Sequence, residues 1–433
     1  MDVTSSLGNI RKNLTFESVD HEKWFDLLAP FFARLMASGG NSPEQQRQDL
    51  TFLCSQILPS FGPHPPRHHC LNSLTGLPTD SSVNYVQHGR RPMIRMSFEA
   101  QTADSATELD PYNQKPAEDF LARLSKADFS GFDTQLSSHF ISELTLDEFD
   151  KSKLSILEVM NSIVPQRSLG DILKVASSPD THFLRTQIMI AVDFNGDNTV
   201  IKSYVLPALK AKACGLSVGQ LLLDSVQKVQ SQMDCLAAFT MAHEFLTETN
   251  GFSNINGFSW DYLVPAQSRL KLYSTTNAPT WPQIEALWTL NNRAHRPTNS
   301  IALRYLRKLW NLLGMVDGGP IEPHVPVSSI IHNFEMKPGN PVPETKIYFS
   351  MQGKNVLQLV AAISWFLDHI GLKELGAGYS ATVQSYFPDC DFTKAIHFVD
   401  YVSFAYNEKT GVYMSVYYHP SVVLSMEPFN IGA

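Results

Sequence analysis

Polar and apolar residues alternate in the segment SRLKLY at 268–273, which predicts a β-strand with its charges on one face. Because successive side chains of a strand point to opposite faces, Arg269, Lys271 and Tyr273 share one face, and two leucines occupy the other. A half-buried strand normally directs its apolar side to the core and its charges to water. Taken alone, the segment is therefore consistent with a solvated edge strand.

The spacing of cation and tyrosine recurs along the chain, which favours a different interpretation. Lysine and tyrosine stand two positions apart in IKSY at 201–204, LKLY at 270–273 and TKIY at 345–348. A related segment, IRMSF at 94–98, carries Arg95 in a comparable place. The last two predicted strands lack the cation and carry Tyr401, Tyr413 and Tyr417. The recurrence of a cation and a tyrosine on one face of successive strands indicates a repeated structural unit.

Ten segments have strand character and are joined in pairs by short, turn-rich connections. They are 81–87 with 92–99, 183–192 with 199–206, 256–262 with 269–274, 330–336 with 344–351, and 397–406 with 411–419. Helical periodicity lies around and between the pairs, for example at 16–36, 43–58, 154–163, 168–176 and 355–370. Strands joined by short turns are antiparallel, and hairpins recurring at a period of roughly 70 residues can close into a barrel ringed by helices. We therefore expect an α+β fold in which one domain, residues 1–433, encloses a central, solvent-filled lumen.

The cations of the repeated strands would converge inside such a barrel. They are Arg95, Lys202, Arg269, Lys271 and Lys346. Confined cations repel one another strongly, so we expect a polyanion such as a diphosphate to occupy the lumen. The neighbouring tyrosines supply hydroxyl donors to phosphate and electron-rich rings that stabilise a carbocation. This combination suits the ionisation of an allylic diphosphate.

The overall composition argues against several other classes of protein. The chain has 433 residues, of which 43% are hydrophobic, and a formal net charge of −8. An acidic balance disfavours general binding to nucleic acid or to an anionic membrane. No apolar run reaches the roughly 18 residues of a membrane span, and no secretory signal is visible. Five scattered cysteines without a CxxC motif suggest reduced thiols, so we expect a cytoplasmic protein.

Metal-binding patterns are weak in this sequence. The cluster HHC at 68–70 lies in a proline-rich loop without a second pair of ligands. There is no DDxxD motif, and the nearest segment, DEFD at 147–150, is interpreted as solvated helix charge. We therefore expect no metal or other cofactor, with basic side chains taking over the electrostatic role of a metal.

Taken in order, these segments resemble the fungal indole prenyltransferases, the dimethylallyltryptophan synthase family with the ABBA barrel. The motifs that carry the resemblance are GLPTDSSVN at 76–84, RMSFE at 95–99, KSY at 202–204, RxKxY at 269–273, KxY at 346–348 and YVSF at 401–404. The resemblance covers most of the chain. It implies an ABBA barrel of ten antiparallel strands in five αββα-type repeats. It also implies a metal-independent transfer of a dimethylallyl group from dimethylallyl diphosphate to an indole ring.

The resemblance also implies a role for each candidate residue. The diphosphate ligands would be Arg95, Lys202, Arg269, Lys271 and Lys346. The tyrosine shield around the allyl cation would consist of Tyr204, Tyr273, Tyr348, Tyr401 and Tyr417. Asp80 would be the catalytic residue, accepting a hydrogen bond from the indole N–H as the ring attacks. A purely structural role for Asp80, capping the turn before its strand, remains open.

Three departures from the family pattern concern the acceptor. Asp80 stands where the family usually has glutamate. Met189 lies near the position where tryptophan-specific members carry a lysine. Leu206 replaces a further tyrosine of the shield. We assign Leu77, Met189 and Leu206 to the acceptor pocket. The absent lysine argues against free tryptophan. We therefore prefer a tryptophan-containing cyclic dipeptide or a related indole alkaloid precursor.

Other functions stay open at this point. The same enzyme class accommodates free tryptophan or a phenolic acceptor such as tyrosine or a polyketide. A non-catalytic barrel that binds a phosphorylated small ligand would use the same cations without needing Asp80. In each case the predicted partners are small molecules, with no nucleic acid and no membrane. The sequence leaves open whether the protein is a monomer or a homodimer, and which ring position is alkylated in the normal or reverse sense.

Overall fold

Ten strands close into a barrel. The computed structural model describes residues 3–66, 68, 70, 76–89, 91–127, 129–154, 186–194, 199–277, 279–319, 329–351, 353–395 and 397–423. The strands are β1 Thr79–Val86, β2 Met93–Phe98, β3 Ile188–Phe194, β4 Val200–Val205, β5 Ile255–Asp261, β6 Leu270–Asn277, β7 Ser329–Met336, β8 Glu344–Ser350, β9 His397–Asn407 and β10 Gly411–Val423. Strands adjacent in sequence are neighbours in the sheet, and β10 pairs with β1 to complete the ring.

All neighbouring strands are antiparallel. The short connections β1–β2, β3–β4, β5–β6, β7–β8 and β9–β10 therefore lie at the same end of the barrel, here called the turn end. The longer connections between hairpins attach at the opposite end, here called the connection end. The two ends of the lumen are thus built from different parts of the chain.

The outer face of the barrel is apolar and covered. Leu270 and Leu272 have no exposed surface, and Trp260 on the next strand is 1% exposed. They belong to one hydrophobic cluster together with residues of the surrounding helices. Ring contacts join the two layers, as where Phe140 meets Phe258 with centroids 5.1 Å apart. Burial of this apolar area stabilises the closed sheet by about 25 cal/mol per Å². The solvated edge strand is therefore the wrong interpretation of 268–273.

The helices that the structure describes surround this sheet. They are α1 Val3–Arg11, α2 Val19–Ser38, α3 Pro43–Phe52, α4 Lys115–Lys126, α5 Gln135–Leu144, α6 Glu148–Lys153, α7 Ala208–Cys214, α8 Val218–Lys228, α9 Leu236–Glu248, α10 Trp281–Thr289, α11 Asn299–Leu312, α12 Val356–His369 and α13 Lys373–Tyr386. Ser42 caps α3, as its sequence position suggests, by accepting a hydrogen bond from the backbone N–H of Gln45.

Where the structure describes them, the predicted elements agree with the observed ones in order and type, but the sequence analysis did not predict the helices α1, α5 and α7. The helix predicted over 43–58 is α3 followed by a π-helical turn at Leu53–Ile57 and a short 3-10 helix at Leu58–Ser60. β3 ends two residues later than predicted, at Phe194. The helices predicted at 154–163 and 168–176 lie outside the described residues, apart from residue 154. The charged side chains of 147–150 are predicted to be solvated. Asp150 is an exception, because it is buried and forms an ion pair with Lys210.

Candidate active site

The five predicted cations lie on the lumenal face near the turn end of the barrel. Cross-strand register places Lys202 opposite Asp261, Arg95 opposite Asp193, and Lys271 opposite Glu335. Each hairpin in the middle of the chain therefore contributes a cation from its second strand, and each first strand contributes an acid. This set of five cations and three acids is called the ion layer below.

One half of the ion layer is tightly paired. The Arg95 guanidinium is bound at two points to the Asp193 carboxylate, and its Nη2 lies 3.0 Å from Oδ2. Lys202 Nζ lies 2.8 Å from Asp193 Oδ2 and 3.1 Å from Asp261 Oδ1. The other oxygen of Asp261 accepts a hydrogen bond of 2.6 Å from Arg269 Nε. Arg95, Lys202 and Arg269 are thus linked by two shared carboxylates.

The other half is more loosely paired. Glu335 Oε2 lies 3.4 Å from Arg269 Nη1 and 3.5 Å from Lys271 Nζ. Lys346 donates to Ser415 Oγ at 3.0 Å, and its Nζ lies 5.1 Å from the ring centre of Tyr348 and 4.7 Å from that of Tyr413. Lys346 has a hydroxyl and two aromatic faces as neighbours, and among the described residues it lacks the carboxylate partner that the other four cations have.

The three acids correct the expectation that only a bound polyanion makes this lumen tolerable. Asp193, Asp261 and Glu335 neutralise part of the charge before any ligand enters. Each stands at or next to the last position of the first strand in its hairpin. Their spacing from the turns was visible in the sequence. Cross-strand register, which the sequence alone does not give, brings each acid beside a cation.

The pKa values show how the charges balance. Burial raises the pKa of the Asp193 and Asp261 carboxyls, but the neighbouring cations outweigh this effect and leave both well below their usual range. For Glu335, Arg269 and Lys271 likewise overcome burial and lower the pKa to about 2. Burial, with the nearby Arg269, lowers the pKa of Lys271 to about 8. Burial, with Arg95, lowers the pKa of Lys346 well below its ordinary value. Three acids therefore do not fully offset five cations.

The predicted tyrosines form an arc along the lumen beside the ion layer. Three of them follow a lysine by two residues, so each lies one step farther from the turn end than that lysine. The ring centres are separated by 5.6 Å for Tyr204 and Tyr273, 6.3 Å for Tyr273 and Tyr348, 5.9 Å for Tyr348 and Tyr417, and 6.3 Å for Tyr417 and Tyr401. All five predicted shield residues are brought together. Asn333, which the sequence analysis did not single out, donates from Nδ2 to the Tyr348 hydroxyl at 3.0 Å.

Asp80 lies beyond the tyrosines, toward the connection end. Its side chain is buried and paired across the strands with Ser97, whose hydroxyl donates a hydrogen bond to Oδ1. Burial raises the pKa of Asp80 to about 7, and the Ser97 bond opposes part of that rise. A carboxyl with this pKa changes its charge near neutral pH, as acid–base groups in active sites commonly do. Ser97 belongs to the RMSFE motif, which by itself gives no sign that Ser97 is the partner of Asp80.

The residues predicted for the acceptor pocket lie at the same end. Met189 is opposite Tyr204 in the register of β3 and β4, and Leu206 follows Tyr204 by two residues. Leu77 precedes β1 and packs partly buried against the main hydrophobic cluster. Gln187, two residues before Met189, was missed by the sequence analysis. Its Oε1 is buried and accepts no hydrogen bond from the residues that the structure describes.

In the described ranges, the structure contains neither a cluster of metal ligands nor a membrane-spanning helix. No group of three or more His, Cys, Asp and Glu side chains there is arranged to hold a metal ion. No helix there has the length and apolar character needed to cross a membrane.

Comparison with known proteins places this site in a family. A family model described as Tryptophan dimethylallyltransferase matches residues 20–382. The chain belongs to this family. One curated relative, Tryptophan dimethylallyltransferase nptA of Emericella nidulans, is 36% identical over 417 residues, covering 94% of this chain and 92% of the relative.

Solved structures of similar proteins agree with the barrel of this dimethylallyltransferase family member. The crystal structure of NotF in complex with brevianamide F and DMSPP is 29% identical, with a TM-score of 0.81, and covers 94% of this chain and 96% of that one. The crystal structure of AnaPT from Neosartorya fischeri also has a TM-score of 0.81, at 23% identity, with 96% and 97% of the two chains covered. The predicted ABBA fold is confirmed.

The predicted activity class is confirmed as well. This dimethylallyltransferase family member is an aromatic prenyltransferase, which transfers a dimethylallyl group to an indole acceptor. It is therefore an enzyme and not a non-catalytic barrel that only binds a phosphorylated ligand.

Proposed function

We propose that the acceptor is a tryptophan-containing cyclic dipeptide or a related indole alkaloid precursor, and that the ion layer, the tyrosine arc and Asp80 carry out the transfer in that spatial order. The observation that carries the proposal is the layering of the lumen. Incompletely neutralised cations lie toward the turn end, aromatic rings follow, and the buried carboxyl of Asp80 lies beyond them. The cations suit an anionic leaving group, the aromatic rings suit an allyl cation, and the carboxyl suits the N–H of an indole nucleophile.

The ion layer would bind the diphosphate of dimethylallyl diphosphate. Arg95, Lys202, Arg269, Lys271 and Lys346 are the proposed ligands. When the allylic C–O bond breaks, its electron pair leaves with the diphosphate oxygen and a dimethylallyl cation remains. Fixed cations in a buried site stabilise the charge that develops on that oxygen more than water does. Because these side chains supply the positive charge, we propose that no metal is required.

The tyrosine arc would shield the allyl cation. Tyr204, Tyr273, Tyr348, Tyr401 and Tyr417 present π faces at ring-centre spacings that leave little room for water between neighbours. Cation–π attraction lowers the energy of the intermediate by about 0.5–2 kcal/mol for each well-placed ring. Exclusion of water prevents capture of the cation as an alcohol.

Asp80 would orient and activate the indole. Its carboxylate accepts a hydrogen bond from the indole N–H, which stabilises the positive charge that the ring acquires. The π electrons of the ring form the new bond to the allyl cation. Loss of the proton at the alkylated position then restores aromaticity, so the products are prenylated indole, diphosphate and one proton.

The connection end supports a bulky neutral acceptor. Met189 and Leu206 offer no charge for the carboxylate or ammonium of a free amino acid, and Gln187 offers an amide that suits a peptide-like group. NotF, the similar protein described above, holds brevianamide F together with DMSPP in its crystal structure.

The test is incubation with dimethylallyl diphosphate and EDTA against tryptophan-containing cyclic dipeptides, free tryptophan and tyrosine. We expect a mass increase of one dimethylallyl group on a cyclic dipeptide, undiminished by EDTA. Preferential turnover of free tryptophan or of tyrosine would contradict the proposed acceptor. Loss of turnover in EDTA, restored by Mg²⁺, would contradict the proposed metal independence.

A further inference from the structure

Glu335 differs from the other two acids of the ion layer in how it is held. Asp193 and Asp261 accept close contacts of 3.1 Å or less from their cations. Glu335 is surrounded by three cations, yet its contacts with Arg269, Lys271 and Lys337 are 3.4, 3.5 and 3.4 Å. The contact with Arg269 is a long hydrogen bond, and all three distances exceed the roughly 2.7–2.9 Å that is typical of charge-assisted hydrogen bonds. Glu335 is therefore held by the electrostatic attraction of three cations rather than by one short ion pair.

Glu335 also lies nearer to solvent than the other acids. Its side chain is 17% exposed, compared with 8% for Asp193 and 1% for Asp261. Two of its partners, Arg269 and Lys337, are exposed by 31% and 34%. A carboxylate at such a position can exchange its long contacts with cations for hydration by water, whereas Asp261 is enclosed and cannot. Movement of Glu335 is thus the least costly rearrangement open to the acids of this layer.

The partners of Glu335 include two proposed diphosphate ligands. If Arg269 and Lys271 turn their N–H groups to phosphate oxygens, the same groups cannot remain on Glu335. A carboxylate left within about 5 Å of a bound diphosphate would repel it strongly, since unit charges at that distance interact by several kcal/mol at an effective dielectric constant near 20. Retention of Glu335 in place would therefore oppose binding of the anion.

We propose that Glu335 is an exchangeable counter-ion, a positioning residue that holds Arg269 and Lys271 in the empty lumen, gives way when diphosphate binds, and returns to speed its release. The inference rests on the proposed function, because it takes these two cations as diphosphate ligands. Asp193 and Asp261 remain in place and hold Arg95 and Lys202 throughout. Glu335 thus lowers the affinity for diphosphate so that the product does not block the lumen.

The experiment measures binding of inorganic diphosphate to the whole chain by calorimetry, and its dissociation rate by stopped flow, at pH 6.5. Glu335→Gln is expected to bind inorganic diphosphate about tenfold more tightly than the wild type and to release it more slowly, since one repulsive charge is gone. The matched control is Glu344→Gln, which removes a carboxylate from the next strand. Glu344 pairs with Lys337 at 2.7 Å and forms no ion pair with Arg269 or Lys271. It should leave the affinity within about twofold.

The outcomes separate this inference from the proposed function. If the wild type does not bind inorganic diphosphate, or if Lys271→Gln leaves its affinity unchanged, the assignment of the diphosphate site is wrong. If Lys271→Gln weakens binding but Glu335→Gln binds equally well or more weakly than the wild type, the site stands and the role of Glu335 is wrong. Equal tightening by Glu344→Gln would show a general charge effect and would also overturn the role.

A second measurement does not depend on any variant. In a crystal structure of the wild type with inorganic diphosphate, phosphate oxygens should replace the Glu335 carboxylate on Arg269 and Lys271. If Glu335 keeps both contacts while diphosphate is bound, the proposal fails. This test is decisive even where Glu335→Gln, which removes the carboxylate partner of the buried Lys271, folds poorly.

Discussion

The two ends of the lumen shift the pKa of an acidic side chain in opposite directions. At the turn end, Arg269 and Lys271 lower the pKa of Glu335 to about 2. At the connection end, Asp80 has the Ser97 hydroxyl as its hydrogen-bond partner, and burial raises its pKa to about 7. The two environments come from different parts of the sheet, since Asp80 and Ser97 lie on β1 and β2, whereas Lys271 and Glu335 lie on β6 and β7. One end is therefore organised by cross-strand charge pairs, and the other by desolvation.

Removal of one cation from the turn end is expected to have the largest effect. Lys271→Gln should lower kcat by about a thousandfold, because it removes positive charge from the departing diphosphate in the transition state. Steady-state prenylation with a saturating acceptor measures this loss. Lys394→Gln, which alters an exposed lysine outside the barrel, is the control. A loss of less than about threefold for Lys271→Gln would show that the turn end does not bind the leaving group.

Removal of the charge at the connection end should have a smaller effect. Asp80→Asn is expected to lower kcat/KM for the indole acceptor by about a hundredfold, since the amide is nearly isosteric but cannot stabilise the charge on the indole as well. Affinity for inorganic diphosphate should remain within about twofold, because the ion layer is intact. If diphosphate binding is lost as well, the two ends do not act independently.

The tyrosine arc joins the two ends and should affect the fate of the cation more than its formation. Tyr348→Leu is expected to raise the ratio of dimethylallyl alcohol to prenylated product about tenfold, because water then reaches the allyl cation. Product analysis by liquid chromatography measures the ratio. Tyr348→Phe keeps the π face and loses only the hydroxyl that accepts from Asn333, so it should stay close to the wild type. An equal effect of both changes would assign the role to the hydroxyl.

The pH dependence should reveal both ends in one profile, with few-fold effects between about pH 6.5 and 8.5. Asp80 must be ionised to accept the indole N–H, so kcat/KM should rise through about pH 7. Lys271 must be protonated to bind diphosphate, so kcat/KM should fall above about pH 8. In Ser97→Ala the rise in kcat/KM should occur at a higher pH than in the wild type, because the Ser97 hydroxyl favours the ionised form of Asp80. If the rise in kcat/KM near pH 7 persists in Asp80→Asn, it reports the titration of another group.

The cation and tyrosine positions were predictable because they follow a local rule. In 201–204, 270–273 and 345–348 the period of two places lysine and tyrosine on one face whatever the rest of the chain does. The same rule applied to the first strands would have placed Asp193, Asp261 and Glu335 on the lumenal face. Their partners, however, come from the register between strands, and register is decided by turn geometry and by burial of the outer face.

What the sequence by itself determined is the alternation of strands and helices, the antiparallel hairpins and the set of polar side chains that turn inward. These depend on local periodicity and on short connections. Only the tertiary structure decided that Glu335 meets three cations and that Asp80 meets Ser97. It also decided that these two acids have opposite pKa shifts. The physical reason is that a pKa depends on burial and on charges within a few ångströms, and barrel closure brings those neighbours together from distant parts of the chain.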